Sequence, residues 1–513
     1  MTMAGPTPLL SQPNSCDHDI ETDKHHLLSL DYTIEQCIGD FNRNQFLQVV
    51  LISLAWLFDA QQAFITVFTD AQPLWHCTSS SCTTTTMCNL PKYSWAWDGP
   101  TQASIISEWN LQCSNSIITG LPASLFFMGC LLGGIVLATL ADSSFGRKNM
   151  LFYSCLLMSL SSLLSSFSPN IWIYSAFKFL CGFGRATIGT SALVLVSELV
   201  GKKWRGQVSA IGFIFFTFGF LSLPIVAYAN RSSSWRNLYL WTSIPSFFYC
   251  ILVKLFAQES PRWLLVQGRK EEALATLKCI TSTTPNNVDL AINDMSYKEE
   301  TLDVGFFSAL KILLEKKWSS RRVLTIMSMG FGVGLVYYGM PLGLGNLSFN
   351  LYLSVTFNAL CELPSALLTF TLIDKINRRS SLLFFTILSG VFSVMSIMEL
   401  GDIWTKMQIG FELISFFSAC TACDIYLIYT TELFPTCVRN SALSVARQAL
   451  VFGGSFSPLL VGAGRVHKFL CYGVFGLVIG CSGLFGVLLP ETKGRPLCDT
   501  MDEEENKECD ILA

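Results

Sequence analysis

Ser197-Glu198-Leu199-Val200-Gly201-Lys202-Lys203-Trp204-Arg205 and Thr431-Glu432-Leu433-Phe434-Pro435-Thr436-Cys437-Val438-Arg439 carry one pattern twice: a glutamate, six residues and an arginine, at an offset of 234 positions. Two further pairs keep almost the same interval. Asp142 with Arg147 recurs as Asp374 with Arg379, offset 232, and Glu259, two residues before Pro261, answers to Glu491, which follows Pro490, again 232 apart. Each pair lies just past a long apolar run. The repeated object is therefore a set of membrane-crossing segments with their short polar connections, a construction common among solute carriers.

Of the 513 residues 51% are hydrophobic and only 14% are charged, against about 25% charged in an ordinary soluble domain. Twelve apolar stretches can be drawn, at about 46–68, 117–141, 150–168, 171–197, 206–229, 238–257, 322–344, 347–373, 381–400, 407–431, 441–463 and 469–489. Most reach or approach the roughly 20 residues that a helix needs to cross a hydrocarbon layer of about 30 Å. Helix is the expected form, because an open sheet would leave backbone groups unpaired in lipid and no stretch alternates like a barrel strand. The expected fold is an all-α integral membrane protein of twelve transmembrane helices in two pseudo-symmetric six-helix halves.

The expected division is a cytoplasmic acidic tail (1–43), an N-terminal half (44–257) with a large outer connection (69–116), a cytoplasmic linker (258–321), a C-terminal half (322–489) and a cytoplasmic tail (490–513). Orientation follows from the short connections. Those at 142–149, 198–206, 374–380 and 432–440 hold 9 basic residues in 33 positions, and those on the opposite side hold 6 in 71, so both termini are expected in the cytoplasm. A net charge of −3 without a basic block excludes a nucleic-acid partner. No cleavable signal peptide is visible, and the first 43 residues read as a flexible acidic tail. Within it, Asp23-Lys-His-His-Leu27-Leu28 resembles an acidic dileucine sorting signal, which favours the vacuolar membrane over the plasma membrane.

Cys77, Cys82, Cys88 and Cys113 fall in the outer connection, so two disulfides are expected, with three pairings open. A zinc site is the rival, with His76 as its sole nearby histidine; no metal or cofactor is expected. Cys420 and Cys423 lie inside a span and read as small residues at helix contacts. Asn230-Arg-Ser232 and Asn346-Leu-Ser348 match glycosylation sequons close to the bilayer.

Several motifs carry a specific resemblance. Asp142 through Lys148, Lys178-Phe-x-x-Gly182 through Glu198, Glu259-Ser-Pro261-Arg262, Glu432-Leu-Phe-Pro435 through Asn440 and Pro490-Glu-Thr-Lys-Gly494 resemble the major facilitator superfamily. The large outer connection and the Cys361-Glu362-Leu-Pro364 run resemble its organic cation/carnitine transporters. Phe58-Asp59-Ala-Gln-Gln62 and Val445-Ala-Arg447-Gln448-Ala are most similar to the plant branch. The resemblance implies alternating access. Asp142, Arg147, Glu198, Arg205, Asp374, Arg379, Glu432 and Arg439 are then candidates for a cytoplasmic gate; the alternative is that the basic members only set topology.

Eight ionisable residues sit within the apolar stretches: Asp59, Lys178, Arg185, Lys254, Glu362, Glu412, Asp424 and Arg447. An unpaired charge at a helix centre costs roughly 2.5–3.5 kcal/mol on insertion scales, so these side chains should face the bundle interior and one another. Asp59 shares a helical face with Gln62 and Thr66. Glu362 adjoins Pro364, where a kink is expected, and in the carriers this run resembles, the matching glutamate lines the central cavity. Candidates for substrate binding or proton coupling are Asp59, Gln62, Arg185, Tyr337, Tyr338, Glu362, Asp424 and Arg447. Aromatic faces such as Tyr337 and Tyr338 suit quaternary ammonium groups; the alternative for them is plain packing. Arg185 and Arg447 either neutralise the acids or hold an anionic group of a zwitterion. The chain departs from the animal cation carriers at Val451 and Gly189, where those carry an aspartate and often a tryptophan.

The expected function is secondary transport of small organic cations or carnitine-like zwitterions across a lipid bilayer, with a proton or sodium as candidate coupling ion. A sugar or phosphate porter of the same fold is the alternative. A membrane-embedded enzyme is disfavoured, because all five histidines lie outside the spans, and no Gly-x4-Gly-Lys-Ser/Thr loop supports an ATP-driven pump.

Overall fold

The computed structural model describes residues 41–78, 87–142, 145–281, 306–347, 349–372, 375–398, 402–435, 437–465, 469–494 and 501–505, with Ile34, Ile38, His467 and Cys498. The dileucine run, Cys82 and Asp374 lie outside the described residues, as do the middle of the linker and the side chain of Asp142. Among the described residues, long helices form at each of the twelve apolar stretches. These are α1 (Arg43–Thr69), α2 (Ser116–Asp142), α3 (Arg147–Ser165), α4 (Ile171–Glu198), α5 (Arg205–Ala229), α6 (Trp235–Phe256), α7 (Lys317–Gly343), α8 (Leu351–Leu372), α9 (Arg378–Met395), α10 (Asp402–Leu433), α11 (Arg439–Gly464) and α12 (Phe469–Leu488).

Nine of the twelve are apolar enough by composition to cross a membrane. The other three, α3, α9 and α11, are diluted by small polar residues turned inward: Ser154, Ser159 and Ser162 on α3, Ser381, Ser389 and Ser393 on α9, Ser455 and Ser457 on α11. Such residues let backbones approach and bond across helices. Their low hydropathy thus reflects helix contact, not exposure to water. Helix starts are set locally. Asn42 Oδ1 accepts from the Gln45 amide at 2.9 Å, and Asn170 caps α4 through the amides of Trp172 and Ile173.

The repeated glutamates explain themselves in the same way. Glu259 Oε1 accepts the amides of Arg147 and Lys148, both at 3.0 Å, at the start of α3; Glu491 accepts those of Arg378 and Arg379 at 2.9 and 3.2 Å at the start of α9. A carboxylate at a helix N-terminus answers both the unpaired amides and the helix dipole. Gly146 makes the approach possible in the first half: its φ is 78°, and a Cβ there would lie 2.5 Å from Glu259 Oε2.

Three apolar cores organise the bundle. One lies in the N-terminal half and gathers Ile52, Leu151, Leu195 and Val253, and another lies in the C-terminal half around Ile326, Leu382 and Tyr429. The third, at the end bearing the 69–116 connection, draws on both halves, with Ile65, Phe68 and Phe220 beside Leu335, Met340 and Val355. That end is called outer here, and the opposite end inner. Across the seam α2 packs on α11 and α5 on α8. At Gly120 the two backbones come close, since a Cβ there would stand 2.7 Å from the Pro458 carbonyl oxygen.

Near the end of the 1–43 segment, Ile34 and Ile38 are buried in the N-terminal core and the Ile38 carbonyl accepts from Gln45 Nε2. The described helices of the linker divide between the two halves. Its helices Pro261–Val266 and Lys270–Ile280 pack Leu264, Ala273, Leu277 and Ile280 into the N-terminal core, and Asn42 Nδ2 donates to the Ile280 carbonyl at 2.7 Å. Its helix Phe306–Glu315 packs instead on α7 and α11. The C-terminal segment also docks: Arg322 binds Glu504 at 2.8 Å, and Lys316 binds Asp502 and Glu505.

Candidate functional site

α1 and α4 carry a buried charge pair. Arg185 Nη2 donates to Asp59 Oδ2 at 3.0 Å, and Arg185 Nε stands 2.7 Å from Asp59 Oδ1, with both side chains at most 10% exposed. Each charge compensates the other in a place where either alone would be expensive. The Arg185 guanidinium also lies 5.8 Å from the centre of the Phe126 ring. Trp56, one turn before Asp59, fills the space at Gly189, where a Cβ would lie 3.1 Å from its ring.

From this pair the site continues across the seam. Tyr338 of α7 faces Arg185 and Arg447 closely enough to interact with both charges, and its ring packs 4.8 Å from that of Phe127 on α2. Tyr337 packs edge-on against Tyr338 at 5.0 Å and donates its hydroxyl to Glu362 Oε1 at 2.8 Å. Glu362 in turn interacts electrostatically with Asp424 of α10, which lies within hydrogen-bonding reach of Thr369. Asp59, Arg185, Tyr338, Tyr337, Glu362, Asp424 and Arg447 therefore form one belt of charge and aromatic surface from half to half. α8 runs without a break through Pro364.

Gln62 is placed elsewhere. Its Oε1 accepts from Ser162 at 2.7 Å and its Nε2 donates to Thr242 at 3.3 Å, so its amide tethers α1 to α3 and α6 inside the N-terminal half. Glu412 is likewise internal, fully buried with Asn358 donating to it at 3.0 Å. Lys254 reaches the inner end and donates to Asn149.

Several inner-end residues are held within their own halves. Arg205 Nε donates to the Ser197 carbonyl, and Arg147 and Arg379 offer backbone amides to the capping glutamates. Glu432 is held by Arg378 at 3.1 Å and by Thr492 at 2.6 Å. Glu198 Oε2 and two nitrogens of Arg439 find no hydrogen-bond partner among the described residues. Arg378 was not singled out from the sequence. The only signal for it was its place beside Arg379, and helix geometry decides which neighbour faces α10.

The outer connection forms a two-stranded ribbon, Trp75–Cys77 against Trp95–Trp97. Cys88 and Cys113 are joined by a disulfide, and Cys77 is disulfide-bonded as well. Disulfide chemistry thus holds for these three of the four outer cysteines. Cys420 and Cys423 are free and buried. The amides of Asn230 and Asn346 donate to the carbonyls of Val226 and Val461, so in this conformation both nitrogens are already engaged.

Residues 63–503 match the family described as sugar (and other) transporters. The chain is 58% identical over 511 residues to organic cation/carnitine transporter 3 of Arabidopsis thaliana, covering 98% of this chain and 97% of that one. It is 32% identical to organic cation/carnitine transporter 2 of Homo sapiens, over 78% of this chain and 72% of that one. Among solved structures, the inward-open xylose transporter XylE from E. coli superposes with a TM-score of 0.62 at 17% identity, over 90% of this chain and 99% of that one, a likeness of fold. With its duplicated helices and its charged seam, the chain belongs to the major facilitator superfamily of secondary transporters, among the organic cation/carnitine transporters.

Proposed function

We propose that this protein carries small organic cations or carnitine-like zwitterions by alternating access, with transport coupled to protons. The observation that carries the reading is Glu362, held by the Tyr337 hydroxyl at 2.8 Å beside two aromatic rings at the seam. A carboxylate with aromatic faces suits an ammonium group, and the names of the similar plant proteins point the same way. Arg447 and Arg185, both near Tyr338, supply the opposite sign for the carboxylate of a zwitterion. Asp59 is already bound by Arg185, so Glu362, with Asp424 near it, is the acid at the seam that answers to the solute and its coupled proton.

In this reading the inner end faces the cytoplasm, as the distribution of basic residues requires, and the resident membrane is vacuolar. Asp142, Arg147, Glu198, Arg205, Asp374, Arg379, Glu432 and Arg439 serve the cytoplasmic gate. The test uses purified protein in liposomes with an imposed pH gradient and labelled carnitine or tetraethylammonium. Uptake should follow the gradient, should be competed by carnitine and not by glucose, and should lose its gradient-driven accumulation in Glu362→Gln. Unchanged accumulation in that variant removes Glu362 from coupling, and competition by glucose moves the protein to the sugar porters. A fluorescent fusion with Leu27→Ala and Leu28→Ala tests the vacuolar assignment, which predicts relocation.

A further inference from the structure

Asp70 follows α1 at the outer end and is nearly buried, with 8% of its surface exposed. Its Oδ1 accepts from Thr69 Oγ1 at 2.8 Å and from the Tyr174 hydroxyl at 3.0 Å, and Tyr174 lies 2.7 Å, oxygen to oxygen, from Tyr239. Its Oδ2 is buried without a hydrogen-bond partner among the described residues. On α4, one turn below Tyr174, Lys178 is fully buried, and its Nζ too has no hydrogen-bond partner there. That ammonium stands 4.6 Å from the centre of the Phe126 ring and 5.6 Å from that of Tyr239, and it interacts with Asp70 through space.

The opposite half closes over this cluster. Arg465, at the outer end of α11, donates from Nη2 to the Asp70 backbone carbonyl at 2.8 Å, 395 residues away in sequence. Beside it Phe68 stacks on Tyr352 of α8 at 5.6 Å, and Tyr352 meets Tyr228 of α5 edge-on at 5.5 Å. Asp70 therefore lies under the contact that must part if the outer end opens. The groups around it are Thr69, Tyr174 and Lys178 of α4, Tyr239 of α6 and Arg465 of α11; the nearby Glu108 is occupied by Arg236 and Trp235.

We propose that Asp70 is the proton-binding residue of the outer gate: the closed gate holds its carboxyl protonated, and opening hydrates and ionises it. The inference rests on the alternating-access reading. In the closed form, burial pushes the Asp70 carboxyl up to about 6, with Thr69, Lys178, Tyr174 and Arg465 only partly offsetting it. Once the gate opens and water enters, the ordinary value of about 3.9 returns. The closed form then binds the proton more tightly. Its advantage is absent well above pH 6, grows as pH falls through about 6, and is complete below about 4. Two pH units between the forms amount to about 100-fold in the gate equilibrium. An acid outer compartment thus drives the outer gate shut behind its cargo, the direction an inward-moving symporter needs.

The test places nitroxide-bearing amino acids at Trp172 and Phe349, which are 65% and 45% exposed at the outer ends of the two halves, and measures their separation in nanodiscs. Lowering pH from about 7.5 to about 4.5 should shift the wild type toward the short separation by about 25-fold. Asp70→Asn should favour the short separation at every pH, Asp70→Glu should restore the response, and Lys178→Met should move its midpoint to higher pH. Two separations that both ignore pH, or a response that persists in Asp70→Asn, would overturn the proposal while leaving alternating access intact. A single separation even with saturating substrate would overturn both.

Discussion

Lys178 and Glu412 lie 234 residues apart, occupy matching places on α4 and α10, and are both fully buried with opposite charges. Near them stand Tyr239 and Tyr472, 233 apart and both buried. The duplication has thus kept a polar position in each half while reversing its sign. Glu412 receives one hydrogen bond, from Asn358, and its Oε1 has no partner among the described residues. Asn358→Leu should therefore cost about 1–3 kcal/mol, the penalty for stripping a buried acceptor. The same change in a Glu412→Gln background should cost less. Thermal unfolding of the four proteins in detergent closes the cycle, and equal costs would show that the pair is not coupled.

The Asp59–Arg185 pair should behave as a unit. Arg185→Met leaves a buried carboxylate without its base and should lose about 3–5 kcal/mol. Asp59→Asn combined with Arg185→Gln removes both charges and should recover most of that loss. Transport by the double variant should stay defective, because Arg185 would no longer offer a cation to the solute. Unfolding midpoints and uptake measured on the same samples separate the two effects.

Tyr337→Phe deletes the hydroxyl that holds Glu362. A hydrogen bond to a charged group contributes about 1.5–3 kcal/mol, so KM for an organic cation should rise by roughly tenfold or more. In Glu362→Gln the further loss of the hydroxyl should matter much less. Additive effects in uptake kinetics would place the tyrosine outside the carboxylate's site.

The capping glutamates predict a matched pair of defects. Glu259→Ala and Glu491→Ala should each cost about 0.5–2 kcal/mol, the range for loss of a helix N-cap, whereas the glutamine variants keep an acceptor oxygen and should cost less. Gly146→Ala should be worse than either, since it meets both a φ of 78° and the Glu259 oxygen. Burial pushes the Glu259 carboxyl up from its ordinary value even though the amides of Lys148, Ser260 and Arg147 pull it down. Its protonation on acidification should therefore favour the folded form, and Glu259→Gln should weaken that acid-side gain in unfolding curves.

Much of the architecture was legible because periodic apolar runs and a duplicated charge pattern are local signals. Asp59, Glu362 and Asp424 stood out because a carboxylate within an apolar run has few reasons to be there. Asp70 did not stand out, because it sits two residues past its run and looks like a loop acid. Its environment is made by Tyr174, Tyr239 and Arg465, residues 104, 169 and 395 positions away that no local pattern connects. Gln62 shows the reverse limit. It shares a helical face with Asp59, yet Ser162 and Thr242 claim its amide, and only the packing of α3 and α6 on α1 reveals that.

The core that both halves share at the outer end has a thermal corollary. Parting the halves there wets Phe68, Leu335 and Met340, and apolar association weakens on cooling. Chilling should therefore tilt the resting protein toward the form open at its outer end, so that its preferred side of access becomes a property of temperature as well as of cargo.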